Sequence, residues 1–311
     1  MKDKDNKISS LSRRQFLVGT ASLVASVHPV FASDKNTTNV ISVDLHSHAF
    51  LDATELDTFK TQNGPDVSFL SGHPTLGGLS GIFDDVKKLN IPVIRTPADI
   101  FAAKSQGRRA AIIAYEGGHI LYGNIETLEK LNKKGLVSLQ LKRTESVELI
   151  NNDDDLTPFG KDVIRTQNKL GMIVDLAHSK ASTIDQAVEV STKPIMLSHV
   201  NRPVESVWDV IAESGGVIGN WWHPRHVRDG LTFNDWIDDF ARMADAVGVD
   251  AIGVQTELGT DIHRGPFDSY NAWDKIGKAL LDVGFNKEEK NKILGGNFIR
   301  MFSKITEGIA A

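Results

Sequence analysis

"PFGKDVIRTQNKLGMIVDLAH", residues 158–178, is the stretch on which the reading of the fold turns. Pro158 to Gly171 has the pattern of an amphipathic helix and stops on Lys169, Leu170 and Gly171, a lysine in the last turn followed by glycine. From Gly171 to His178 the chain is near-continuously apolar, the pattern of a strand in a parallel sheet covered on both faces. A helix therefore runs straight into a buried strand, and that strand ends on a histidine.

The same unit recurs to either side. Strands are read at "VISVDLH" (40–46), "AAIIAYE" (110–116), "LVSLQL" (136–141), "PIMLSH" (194–199), "GVIGNWW" (216–222) and "AIGVQTE" (251–257), and "IETLEKLNKKG" (125–135) is a further helix with a lysine-glycine stop. An eighth strand is expected between Ala53 and Thr96, where "IPVIRT" (91–96) is the strongest run and "LGGLSGIF" (76–83) competes. Eight β/α units in about 270 residues favour a (β/α)8 TIM-type barrel over an open doubly wound sheet. No glycine-rich nucleotide fingerprint follows the first strand, which further disfavours the open sheet. The one charge run, "NNDDD" (151–155), reads as a solvated loop.

The first 32 residues stand outside this pattern. Ser12, Arg13, Arg14, Phe16 and Leu17 resemble a twin-arginine export signal, and cleavage is expected after Ala32, leaving a polar linker from Ser33 to Asn39 and a single barrel domain over 33–311. The apolar part, Phe16 to Val27, is short for a membrane span and is followed by Pro29, which disfavours an uncleaved anchor. The expected address is the periplasm, with the twin-arginine machinery as a partner. That segment carries a net charge of +3, so its removal takes the chain from −5 to −8 and nothing suggests nucleic acid. With no cysteine in the chain, any metal must be held by histidine and carboxylate. A homodimer is an assembly the chain allows.

In a barrel of this type the site lies at the C-terminal ends of the strands. Those ends carry His46 and His48, Glu116, Arg143, His178, His199, Trp222 with His223, and Glu257. His46 and His48, spaced i, i+2 on a strand, share a face and could meet one ion. Four histidines and two carboxylates converging on one rim point to two divalent ions of the zinc type. Each residue also has a structural alternative. Glu116 could stabilise the "GGH" turn, His119 reads as structural, Trp221, Trp222 and His223 could simply pack, and Arg143 could pair with Glu145 or Glu148.

"YEGGHIL" (115–121), "LTPFGKDVIRTQNKLGMIVDLAHSKAST" (156–183), "KPIMLSHVNRP" (193–203) and "GFNKEEKNKILGGNFIRMF" (284–302) resemble the membrane (renal-type) dipeptidase family of zinc metallopeptidases. The resemblance covers most of the chain from about Ala110 onward. It implies a metallo-dependent hydrolase barrel with two zinc ions that hydrolyses dipeptides. Glu116 falls on the metal-bridging glutamate, His178 and His199 on the later histidine ligands, and His46 on the first.

The departures are specific. His48 stands where the family has a ligating aspartate, so the centre gains a positive charge. Glu257 stands where the family has a shorter aspartate and must reach the same water from a shifted backbone. Arg143 replaces a substrate-facing histidine, and the family's carboxylate-binding arginine has no counterpart in the short segment after His199. Arg143 or Arg202 is therefore expected to clamp the substrate carboxylate, with Glu257 as the proton shuttle. The alternatives are another metal-dependent amidohydrolase, acting on a lactone, cyclic amide or phosphoester, and a non-catalytic exported metal-binding barrel.

Overall fold

Each strand pairs with its successor in the chain. The computed structural model describes residues 40–48, 64–72, 78–143, 148–199, 207–221, 230, 232–259 and 269–309, and in it eight parallel strands form one sheet in strict chain order. The strands are β1 (Val43–Ser47), β2 (Val67–Gly72), β3 (Ala110–Glu116), β4 (Leu136–Gln140), β5 (Ile173–Asp175), β6 (Met196–Leu197), β7 (Val217–Trp221) and β8 (Ile252–Gln255). Beyond its last strand residue, β8 returns to β1: the Glu257 N–H donates to the His46 carbonyl at 3.0 Å, and the His48 N–H to the Leu258 carbonyl at 2.6 Å. The sheet is in this way a nearly closed (β/α)8 barrel.

Among the described residues helices follow every strand from β2 onward: α1 (Leu79–Lys88), α2 (Pro97–Ser105), α3 (Ile125–Lys134), α4 (Pro158–Leu170), α5 (Ala181–Val190), α6 (Trp208–Glu213), α7 (Phe233–Val247), α8 (Trp273–Asp282), α9 (Lys287–Asn291) and α10 (Asn297–Thr306). Their ends follow local chemistry. Helix α4 begins where Thr157 Oγ1 accepts the Gly160 N–H at 3.0 Å and ends on Gly171, whose φ of +68° lies in the left-handed region that glycine enters without strain. Among the described residues no helix is long and apolar enough to cross a membrane.

The apolar side chains divide into two clusters. Val43 and Leu45 of β1, Phe69 of β2, Ile112 of β3, Ile173 of β5 and Val217 of β7 form one cluster with Phe298 and Phe302 of α10. Side chains from opposite strands meet only in the lumen, so this cluster fills the barrel, and α10 closes its floor with the Phe69 and Phe298 rings edge-on at 5.3 Å. The second cluster, with Leu70, Ile113, Leu139, Val174 and Val254, lies between strands and helices.

Two expectations are corrected here. The second strand is "VSFLSG" (67–72), not "IPVIRT" or "LGGLSGIF". Its two serines break the apolar run that marks the other strands, which is why it escapes a search for continuous hydrophobicity. "LGGLSGIF" instead leads into α1, which buries Leu79, Ile82 and Val86 at helical spacing. "IPVIRT" makes a single bridge, Val93 to Ala111, because β3 already has β2 on one edge and β4 on the other. The "NNDDD" run is also only partly solvated: Asp154 is buried and pairs with Lys142 and with Lys180, the latter at 2.6 Å.

Candidate metal centre

The centre begins with an irregularity in β1. Asp44 registers with Ser68 and Ser47 with Leu70, so three steps along β1 match two along β2. Asp44 and Ser47 both face the helix layer, where Asp44 Oδ2 accepts from the Tyr270 hydroxyl at 2.7 Å and Ser47 Oγ lies 3.2 Å from Ser68 Oγ. Leu45 and His46 consequently both face the lumen. In a regular strand His46 and His48 would share the outward parity of Asp44; the extra residue turns them inward.

Glu116 ends β3, His178 follows β5, His199 follows β6 and Glu257 follows β8, and all converge on the two β1 histidines. The potential ligand atoms fall into two groups, His46, His48, Glu116 and Glu257 in the first, and Glu116, His178 and His199 in the second. Glu116 belongs to both. Its Oε1 lies 2.9 Å from His46 Nε2, 3.7 Å from His48 Nε2 and 4.0 Å from His199 Nε2. Glu257 Oε2 is 3.7 Å from His46 Nε2, and its Oε1 is 3.7 Å from His48 Nε2. In the second group the His178 and His199 Nε2 atoms are 2.9 Å apart. His178 and Glu257 take positive φ, +64° and +58°, a backbone state that costs non-glycine residues energy and is found where function fixes a side chain.

The far nitrogens of the rings are tied down. His48 Nδ1 donates to the Ser71 carbonyl at 2.8 Å, so that in the neutral ring the lone pair sits on Nε2, 3.3 Å from His46 Nε2. Ser71 Oγ is 3.1 Å from His46 Nδ1, and Ser198 Oγ is 3.0 Å from His199 Nδ1. Two residues that the sequence reading did not single out hold the backbone beneath. Asp44 Oδ1 accepts from the Thr256 N–H at 3.0 Å and from the His46 N–H at 3.3 Å. Asp175 Oδ1 accepts from the Ala177 N–H at 3.0 Å and the Ser198 N–H at 3.1 Å, bracketing His178 and His199. Burial raises the pKa of both acids, that of Asp44 to about 6. A signal for them was present: "VDLH" (43–46) and "VDLAH" (174–178) each place an acid inside an apolar strand, where it must find donors.

The electrostatics differ across the centre. Burial opposes the His46 cation, but the charges of Glu257 and Glu116 outweigh it and raise its pKa to about 9. Burial, aided by the Arg143 charge, lowers His178 to about 4. Burial and the neighbouring His46 depress His199. Glu116 and Glu257 stay well below the usual carboxylate range, because the histidine charges overcome the cost of burial.

This donor set fits a divalent ion of the zinc type. Within each group the atoms lie within 4.8 Å of one another, close to the span of two metal–ligand bonds of about 2.0–2.2 Å. The ligands are imidazole and carboxylate, and His48 is fixed in the ligating tautomer.

Arg143, expected to face substrate, is directed at the centre itself: its Nη1 donates to His178 Nε2 at 2.8 Å and its Nε lies 3.3 Å from Glu116 Oε2. Arg202, Trp222 and His223, the export segment 1–32 and the linker 33–39 lie outside the described residues. Trp221 packs edge-on against His199 at 5.1 Å, and His119, which belongs to neither ligand group, has its Nε2 3.4 Å from the Tyr115 hydroxyl.

Fold and site together define a (β/α)8 barrel with a histidine–glutamate centre for divalent metal at its C-terminal rim. The family model of membrane dipeptidases (peptidase family M19) matches residues 84–310, and the chain belongs to that family. Dipeptidase tcpJ of Claviceps purpurea is 24% identical over 233 residues, 68% of this chain and 55% of that protein. Dipeptidase 3 of Mus musculus is 24% identical over 222 residues, 64% of this chain and 45% of that protein. The matched stretch is thus about half the length of these relatives. Among solved structures, an amidohydrolase from Pseudomonas aeruginosa aligns with a TM-score of 0.72 at 18% identity, over 86% of this chain and 96% of that one. A metallo peptidase from Rhodobacter sphaeroides, liganded with a phosphinate mimic of the dipeptide L-Ala-D-Ala, aligns with a TM-score of 0.72 at 15% identity, over 86% of this chain and 99% of that one. These two similarities establish the barrel.

Proposed function

We propose that this chain is an exported hydrolase that cleaves the amide bond of dipeptides with divalent ions of the zinc type. The observation that carries the reading is Glu116, a buried carboxylate common to both ligand groups in a chain of the membrane dipeptidase family. The donors offer places for two ions that share it. A divalent ion held there would lower the pKa of a bound water toward neutrality and polarise a substrate carbonyl.

The chain's own residues do the rest. Ser71 fixes the orientation of His46 and His48 through their Nδ1 atoms. Glu257, at the rim end of β8, takes a proton from the attacking water and returns it to the leaving amine. An arginine, Arg202 or Arg143, pairs with the terminal carboxylate of the dipeptide, since a planar guanidinium matches that group. The dipeptide mimic bound by the Rhodobacter sphaeroides relative supports this substrate class.

The test is a panel of free-acid dipeptides, their amides, lactones and phosphoesters, offered to the purified zinc-loaded protein. Free-acid dipeptides should be cleaved fastest. Turnover of a lactone or phosphoester alone would place the chain among other amidohydrolases, and bound metal without any turnover would make it a metal-binding barrel. The address is proposed on Arg13 and Arg14: replacing both by lysine should hold the precursor in the cytoplasm, and unchanged periplasmic recovery would overturn that route.

A further inference from the structure

Arg143 enters the second ligand group and competes for its atoms. Its Nη1 donates at 2.8 Å to His178 Nε2, and its Nε is 3.3 Å from Glu116 Oε2. Glu116 and His178 are two of the three ligands of that group. An imidazole nitrogen has a single in-plane lone pair, so the pair on His178 Nε2 that receives the guanidinium is the pair a divalent ion would need. The first group instead contains a second carboxylate, Glu257.

Charge balance points the same way. Glu116 and Glu257 bring two negative charges into a pocket where they and His46, His48 and His199 are 8% exposed or less, and Arg143 returns one positive charge. One divalent ion leaves a single positive charge. A second ion, with Arg143 still in place, would leave three in a site with little water to screen them. The arginine can also leave. Its side chain is 29% exposed against 2% for Glu116, so the guanidinium reaches in from the rim and can retreat to solvent. Gly117 keeps its approach open: at a φ of +100°, a Cβ there would lie 2.9 Å from Arg143 Cβ.

We propose that Arg143 is the resident cation of the second ligand group. It holds Glu116 and His178 in place while one ion fills the first group, and a second ion enters only when the guanidinium swings out to the rim. The inference rests on the metal-dependent reading of the centre and adds an order to its filling.

The experiment counts zinc per mature chain across a graded zinc buffer, without substrate. The wild type should hold one ion tightly and a second at least about tenfold more weakly, a difference of the size seen for groups that touch metal ligands. Arg143→Gln should tighten the second ion by about tenfold or more and leave the first unchanged. Thermal unfolding gives an independent readout: the variant should melt below wild type without zinc and no lower than wild type at saturating zinc. A packing role alone would lower both curves and overturn the proposal, and Arg143→Ala replaces the glutamine variant should that one not fold. Equal affinities for both ions in the wild type, or an unchanged second ion in the variant, would overturn the role of Arg143 while leaving the metal centre standing. A wild type that binds no zinc would overturn both.

Discussion

The two ligand groups share Glu116, yet they are built by different means. The first takes His46 and His48 from one bulged strand and Glu257 from the strand that closes the barrel against it, so its geometry is set by the β1–β8 seam. The second takes His178 and His199 from the ends of two very short strands, β5 and β6, held together by Asp175, and it faces an arginine. The first group is rich in carboxylate and the second is balanced by a guanidinium. Donors of one chemical type can thus be arranged with unequal net charge a few ångströms apart, and on the order of filling proposed above that difference sets which group holds an ion first.

The shared residue offers the harshest way to break this comparison. Glu116→Gln removes the charge that serves both groups and leaves an amide that bridges cations poorly, so metal should be lost from both and turnover should fall below detection. Elemental analysis checks it, and a variant that keeps two ions would show that Glu116 bridges nothing. Glu257→Gln comes next. Its shape is kept while the base is lost, so turnover should drop roughly 100-fold to 10,000-fold while the tight ion is weakened but still bound. Complete loss of that ion would make Glu257 a ligand first and a base second, and Glu257→Asp should recover part of the activity.

Smaller changes sharpen the contrast. Ser71→Ala removes the hydroxyl beside His46 Nδ1 and should weaken the tight ion by about 10-fold to 100-fold. Ser198→Ala, which removes the equivalent partner of His199, should leave the tight ion untouched and weaken only the second. Equal effects in a zinc titration would mean that the groups are not filled separately. The smallest effect is expected beneath the first group. Tyr270→Phe removes one of the donors to Asp44 and should cost about 1–2 kcal/mol of stability in denaturant unfolding, since the Thr256 hydroxyl still donates to the same oxygen. A loss well above that range would show that Tyr270 carries the seam between β1 and β8.

The site was more legible in the sequence than one strand of the fold. Seven strands could be read because a strand covered on both faces must be apolar almost throughout, and the rule that their ends build the site then named His46, His48, Glu116, His178, His199 and Glu257. β2 was missed because Ser68 and Ser71 bond to Tyr270 and to His46, serving polar neighbours that a local window cannot see. Asp154 was read as solvated for a similar reason: the lysines that justify its burial lie 12 and 26 positions away.

What the sequence determined by itself was the order of β and α units and the sharing of one face by His46 and His48, because both follow from periodicity along a single segment. Which face they share was decided only by the register of β1 against β2, where one extra residue reverses the answer. The position of Arg143 was likewise settled only in three dimensions. Its partners come from the ends of β3 and β5, on either side of the strand that carries it, and a guanidinium goes to whichever buried charges the closed barrel brings within its reach.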